Sequence, residues 1–471
     1  MGSSRVIAAR RANFAGRVVI LGFGSVGRGV LPLLGAVLGV HAERITIVAP
    51  DAQASGAAAE FGARVIRQGI FPGNLESVLA PLLGPGDFLL NASLHVSSLD
   101  LIRFCRTRGA FYLDTCTEPW LNHYDNALLT VSQRSNYALR EAALAWGREN
   151  GPGPTAILTQ GANPGLVSQF VKQALTEMAQ GTGVRPSEDW GRLAQSLGVK
   201  VIHIAERDTQ TPTRRKAAGE FVNTWSVEAF VDEGLQPAEL GWGTHEKDLP
   251  DDGARHASGC DAAIYLERPG LATRVRSWTP LQGSYHGFLV THAESISIAD
   301  HLTVREDGRV VYRPTVNYAY HPCDDAVLSV HELAGRNWKL QDKQRIARDE
   351  IASGIDELGV LVMGNPRGAF WYGSRLSIQE AREIAPYNSA TSMQVVAGIL
   401  GGMAWALRNP KAGVVEPDDI DHELVLDIAR PFLGEVTGVW GDWTPLRGRS
   451  ALYDEDKDAA DPWQFVNFRV D

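Results

Sequence analysis

Four short stretches of this chain carry side chains that could hold a small cation and move its protons. They are GANPG at 161–165, HIAERDTQ at 203–210, FVNTWSVE at 221–228 and THAESISIAD at 291–300. They supply an amide (Asn163), carboxylates (Glu206, Asp208, Glu294), an indole (Trp225) and an imidazole (His292). Carboxylates pair with ammonium groups, and an indole face attracts an ammonium or iminium ion. A fifth stretch, VVILGFGSVGRG, runs from an apolar strand at Val18 into Gly22-Phe23-Gly24-Ser25-Val26-Gly27. In such a turn the first glycine permits the tight bend, the second lets backbone approach a pyrophosphate, and the third lets helix pack on strand. The helix that starts there turns its unsatisfied N–H groups toward the phosphates, through Ser25 and Val26 in its first turn. Together these stretches point to a nicotinamide enzyme acting on amines.

Each residue also has a plainer reading. Glu118, just past the strand that ends at Asp114, could be a solvated loop residue, although ligands of doubly wound sheets lie at that edge. Asn163 sits before Pro164 and Gly165, an ordinary turn by composition. Trp225 could be a core aromatic. His292 could be a structural, hydrogen-bonded histidine; in an extended chain it would share a face with Glu294 and offer acid–base chemistry near neutral pH. Asp51, two residues past the second strand, either binds a ribose or caps the following helix.

The elements that must position these residues follow from periodicity. Strands are expected at Val18–Leu21, Ile45–Val48, Ala63–Ile66, Phe88–Asn91 and Ala110–Asp114, with helices between them, such as Ala52–Phe61 and Leu75–Leu83. Alternating strands and helices imply βαβ units and a parallel sheet. Gly151-Pro152-Gly153-Pro154 breaks the chain before a last strand at Thr155–Thr159, which places a boundary near residue 160. Beyond it, apolar spacing from Leu166 to Met178 predicts a helix. Strands are expected at Lys200–Ala205, Phe221–Phe230, Ala262–Leu266, Thr273–Trp278, Gly287–Thr291 and Arg309–Tyr320, the last interrupted by Pro314. Helices return at Ser377–Ile384 and Ser389–Asn409, the second interrupted at Gly398, Gly401 and Gly402.

The fold class is therefore α/β. A basic arm at 1–15 precedes a Rossmann-type dinucleotide-binding domain at 16–160. A mixed α/β substrate and dimerisation domain follows at 161–471, its C-terminal helices packing back on the first. A length of 471 residues calls for two or three domains. The net charge of −10 argues against a nucleic-acid partner and suits a cationic ligand. Four cysteines without metal-like spacing suggest reduced thiols in a cytoplasmic protein, and no metal site is expected. No signal peptide follows the basic N-terminus, and no run of about 18 apolar residues suggests a membrane span.

Taken together, the motifs resemble bacterial homospermidine synthase, a relative of saccharopine dehydrogenase. The resemblance runs from Gly16 to Phe468 through RSNYALRE at 134–141, EGLQPAELGWGT at 233–244, VRSWTP at 275–280, YAYHPCDDAVLS at 318–329, GIDELGVL at 354–361 and DWTP at 442–445. It implies NAD as a tightly held hydride carrier, putrescine and other small polyamines as substrates, and a homodimer. It also implies that Trp225 is a cation–π platform, that Glu206 and Asn163 hold the reacting end, that Glu118 holds an ammonium deeper in the pocket and that Glu233 guards the entrance for cationic substrates; His292 is the candidate for proton handling. Two positions depart from the family. His95 stands where relatives carry an aspartate on the substrate side, and Ala49 replaces the acid at the second strand's tip, leaving Asp51 for the ribose. Two rival readings remain: a saccharopine-type amino-acid dehydrogenase, and a non-catalytic protein that binds NAD and polyamine.

Overall fold

The computed structural model describes residues 13–50, 54–124, 126–449 and 453–470. Most of the expected basic arm, residues 1–12, and Asp51 lie outside the described residues. The chain divides into two compact units. One holds the residues up to Leu129 with Ala138–Leu166 and Leu376–Gly434; the other holds Thr130–Tyr137, Val167–Arg375 and the residues from Glu435 on.

The first unit is built on a seven-stranded sheet. Its strands run, in spatial order, Val414–Val415, Ala156–Ile157, Phe111–Asp114, Phe88–Asn91, Val18–Leu21, Ile45–Val48 and Arg64–Ile66. All neighbours are parallel. The order reverses at Val18–Leu21, between Phe88–Asn91 and Ile45–Val48, which is the switch point where doubly wound sheets bind nucleotides. Strands such as Val18–Leu21 and Phe88–Asn91 are buried along their whole length, as expected for a sheet covered on both faces.

Helix Ala390–Arg408 is long and apolar enough to cross a membrane by length and composition, but it lies buried in this unit. It is not interrupted at its glycines. A Cβ on Gly398 would lie 1.9 Å from the Gly161 carbonyl oxygen, and one on Gly402 would lie 2.5 Å from Gln160 Cγ. The glycines therefore let this helix pack tightly against the turn that carries Asn163. Gln160 donates its side-chain amide to the Gly398 carbonyl at 3.2 Å, joining the two segments.

The second unit centres on an eleven-stranded mixed sheet. Val201–Asp208 lies in its middle, parallel to Thr315–His321 and antiparallel to Ile355–Met363. Pro314 ends one strand, Arg309–Tyr312, and the next begins at Thr315. Two sequence expectations are corrected here. Phe221–Phe230 is not one strand: Glu220–Asn223 pairs in a small sheet, then Ser226 caps helix Val227–Leu235 by accepting from the Ala229 N–H. The strand expected at Gly287–Thr291 lies earlier: Gly287 and Phe288 are the end of strand Gly283–Phe288, and the ladder stops there. The chain then enters helix Ala293–His301, whose N-cap position is His292.

A buried ion pair fixes part of the first unit. Arg140 donates Nε and Nη2 to the two carboxylate oxygens of Glu416, each at 2.7 Å, and both residues are buried. Burial pushes the Glu416 carboxyl up to about 7 even against the attraction of Arg140. Arg140→Met, which strands that carboxylate, is expected to cost about 3–5 kcal/mol in a denaturation experiment. Combining it with Glu416→Leu should recover most of the loss.

Candidate active site

In the first unit the glycine-rich turn has the shape its sequence implies. Gly22 takes φ +80°, and a Cβ there would lie 2.4 Å from the Ala92 carbonyl oxygen. A Cβ on Gly27 would lie 2.7 Å from the Gly22 carbonyl, so these two glycines serve the fold itself. Gly24 differs, since nothing lies within 4 Å of the position a Cβ would take. Helix Ser25–Leu38 begins immediately after it, with no side chain capping its first N–H groups. The Ser25 hydroxyl is buried without a hydrogen-bond partner. An open glycine, uncapped N–H groups and an orphaned hydroxyl fit a dinucleotide pyrophosphate. Gly24, Ser25 and Val26 are thus the residues that could hold it, on a turn whose shape Gly22 and Gly27 make possible.

The strand ends beside this turn carry Glu118, His95 and Asn163. Glu118 accepts from the His95 backbone N–H at 3.0 Å and from the Cys116 thiol at 3.3 Å. His95 sits in the left-handed region at φ +60°, which histidine, asparagine and aspartate enter more readily than most residues. Asn163 lies in a turn closed by Gly161 N–H to the Pro164 carbonyl and Leu166 N–H to the Gly161 carbonyl. Buried Asp114 anchors the segment just before that turn, accepting from the Thr159 N–H at 2.6 Å and the Tyr112 hydroxyl at 2.7 Å. Burial drives the Asp114 carboxyl up to about 6, against the pull of those donors.

The second unit gathers Glu206, Trp225, Glu233 and His292. Glu206 and Asp208 alternate on one face of Val201–Asp208, and both are buried. Tyr318 and Tyr320, spaced likewise on the neighbouring strand, stack with centroids 5.1 Å apart. The Tyr318 hydroxyl donates to Glu206 Oε2 at 2.5 Å, and the Trp225 indole N–H donates to the Tyr320 hydroxyl at 3.0 Å. Phe230 packs edge-on to both Trp225 and Tyr320. The result is an aromatic wall with carboxylates behind it, suited to a cation. The two tyrosines were not singled out from the sequence, although their alternation in YAYH was the signal for a shared face.

His292 lies against the Tyr318 ring at 4.4 Å and between two carboxylates. Its Nδ1 is 3.2 Å from Glu294 Oε1, and its Nε2 is 3.2 Å from Glu233 Oε2. Burial alone would push its pKa down, but the Glu294 charge and the Glu233 hydrogen bond outweigh it, holding the imidazole up to about 10. His292 is thus a cation at neutral pH rather than a poised base. It meets Glu294 across the first turn of a helix, where an extended chain was expected. The second oxygen of Glu294 is buried without a partner.

Two outcomes follow. Gly24→Ala is expected to fold like the parent protein and to lose bound NAD, checked by the nucleotide released on denaturation and by melting temperature. His292 gains its proton affinity on folding, so its contribution to stability is complete below its unfolded pKa of about 6.5 and disappears as pH rises through about 10. The melting-temperature gap between parent and His292→Gln should therefore shrink across that interval.

With this geometry in view, comparison with known proteins is informative. The saccharopine dehydrogenase NADP binding domain matches residues 18–157, and the saccharopine dehydrogenase C-terminal domain matches residues 161–442. Homospermidine synthase of Blastochloris viridis is 53% identical over 464 residues, 97% of each chain. That of Mesorhizobium japonicum is 49% identical over 467 residues, covering 97% of this chain and 96% of the relative. The crystal structure of homospermidine synthase from Legionella pneumophila in complex with NAD superposes with a TM-score of 0.92 at 48% identity, covering 98% of this chain and 99% of that one. The chain belongs to the homospermidine synthase family, within the saccharopine dehydrogenase-like enzymes.

Proposed function

We propose that this chain makes homospermidine, transferring an aminobutyl group from putrescine or spermidine to putrescine with NAD as the bound hydride carrier. The observation that carries this reading is the wall of Trp225, Tyr318 and Tyr320 backed by Glu206. NAD, when bound, accepts a hydride from the carbon beside the donor's amine and returns it once the new bond has formed. The remaining steps fall to the chain's own residues. A protonated diamine must first lose a proton, and the role of taking it is assigned to Glu206, whose carboxylate the Tyr318 hydroxyl holds. The donor then becomes an iminium ion, water releases ammonia from it (diaminopropane where spermidine is the donor) to leave an aldehyde-level carbon, and the second putrescine's amine condenses there to an imine, returning the water. The Trp225 face and the Glu206 carboxylate stabilise this cation without having to reorganise.

His292 acts through charge. As an imidazolium it neutralises part of Glu233 and Glu294, and an arriving ammonium group can compete with it for those carboxylates. The roles implied for Asn163 at the reacting end, and for Glu118 and His95 near a substrate ammonium, stand as proposals supported by the resemblance. So do a homodimer and a cytoplasmic setting, the latter suited to four free cysteines. The dinucleotide preference is read as NAD because the Legionella structure is a complex with it.

Incubation of purified protein with NAD and putrescine should yield homospermidine and ammonia by mass spectrometry, whereas amino-acid substrates of the saccharopine type should give no NADH. Absence of homospermidine with NAD and putrescine both bound would favour a binding protein. Trp225→Ala should lower turnover roughly thirtyfold or more, the equivalent of losing a desolvated cation–π contact of about 2 kcal/mol. A cooperative melt far below the parent's would instead make Trp225 a core aromatic.

A further inference from the structure

We propose that Asp208 is a positioning residue for Trp225, acting through the hydroxyl of Thr224. Asp208 ends the strand that carries Glu206, and it is fully buried. Its Oδ1 accepts from the backbone N–H of Gln210 at 2.7 Å and from the Gln210 side chain at 3.1 Å. Its Oδ2 accepts from the Thr224 hydroxyl at 2.8 Å. An ionised carboxylate is an acceptor only, so it fixes the direction of each donor it receives.

The loop around Trp225 is held on every other side as well. Before it, the Thr224 N–H donates to Asn223 Oδ1 at 3.0 Å. After it, Ser226 is committed to capping the helix that begins at Val227. At its tip the indole N–H reaches Tyr320. Thr224 itself is buried and Trp225 is half-buried, so the indole is the member of this pair that faces outward from a fixed base. Tyr320 holds the indole's far end and Phe230 packs edge-on to the ring, so the tilt is set jointly by these contacts and by the backbone at Thr224. The carboxylate thereby ties the tilt of the indole to the strand that bears Glu206, keeping platform and carboxylate in register. A cation–π contact depends on where the cation sits over the ring face, so a tilted indole would weaken the transition state more than ground-state binding.

The inference rests on Trp225 being the cation platform, and a double-mutant cycle separates the two. Thr224→Val removes the hydroxyl at nearly constant volume. In the full-length holoenzyme it is expected to lower kcat about tenfold, the size of one net buried hydrogen bond. KM for putrescine and NAD content should stay close to the parent's, while the melting temperature should fall because the buried Asp208 carboxylate loses one donor. Thr224→Ser should restore kcat. Asp208→Asn, which turns one acceptor into a donor, should lose part of the rate in the same way. Each effect should vanish in a Trp225→Ala background, because no ring is left there to be positioned. Losses that persist unchanged in that background, a failed serine rescue, or full activity in Thr224→Val would overturn the inference. Trp225→Phe and Trp225→Ala variants as active as the parent would overturn the platform reading itself, and this one with it.

Discussion

Burying carboxylates without leaving them unpaired is the constraint on which the second unit depends. Glu206, Asp208, Glu239, Glu294, Asp356 and Glu357 are each at most 1% exposed. A buried ion is tolerated only with compensating charge or hydrogen bonds, since its desolvation costs several kcal/mol. For five of these six the fold supplies compensation on at least one oxygen. Tyr318 serves Glu206, Thr224 and Gln210 serve Asp208, and His292 serves Glu294. Glu239 receives the backbone N–H groups of Asn136 and Tyr137 and the Thr291 hydroxyl. Glu357 receives the Leu281 N–H. The sheet, the loops and the aromatic wall are arranged around these donors.

The same constraint decides what such a site can accept. A dicationic amine adds counter-charge to a region already crowded with carboxylates, whereas an amino-acid carboxylate would add to the crowding. His292 is the internal cation that makes two of those carboxylates compatible with burial. Its proton is therefore committed to electrostatics. An imidazole free to exchange protons near neutrality would need a less acidic neighbourhood.

Much of the first unit could be read from the sequence. Its strands are short, apolar and separated by helices, so composition and spacing alone identify them, and the glycine turn locates the switch point. Asp51 lies outside the described residues, so the ribose contact has no structural counterpart. The second unit was less legible. Phe221 to Phe230 reads as one apolar run because the helix start at Ser226 falls inside it, and only the cap with Glu228 in the first turn marks the change. Leu289 and Val290 favour strands by type, yet among the described residues the ladder ends at Phe288, with one further backbone bond from the Leu289 N–H to the Thr273 carbonyl, and pairing is a property of distant residues. Trp225, Glu206 and His292 stood out by residue type and resemblance. Tyr318, Tyr320 and Thr224 did not, because their importance comes from what they touch across the sheet. The glycines of Ala390–Arg408 looked like interruptions for a similar reason. Gly398 and Gly402 face Gly161 and Gln160, more than 200 residues earlier, and Gly401 faces Val425.

That last contact has a consequence for biosynthesis. The first unit is completed by Leu376–Gly434, which supplies its buried helix and the strand Val414–Val415 at one edge of its sheet. At ~5–20 residues per second, a ribosome that has finished Leu166 needs about 15–50 s more before that segment exists. Until then the segment at Gln160 and Gly161 lacks the helix that packs against it. The dinucleotide-binding half, though first in sequence, must finish late in synthesis. A chain truncated before residue 376 would carry every residue of the GxGxxG turn and still lack part of the core that supports it.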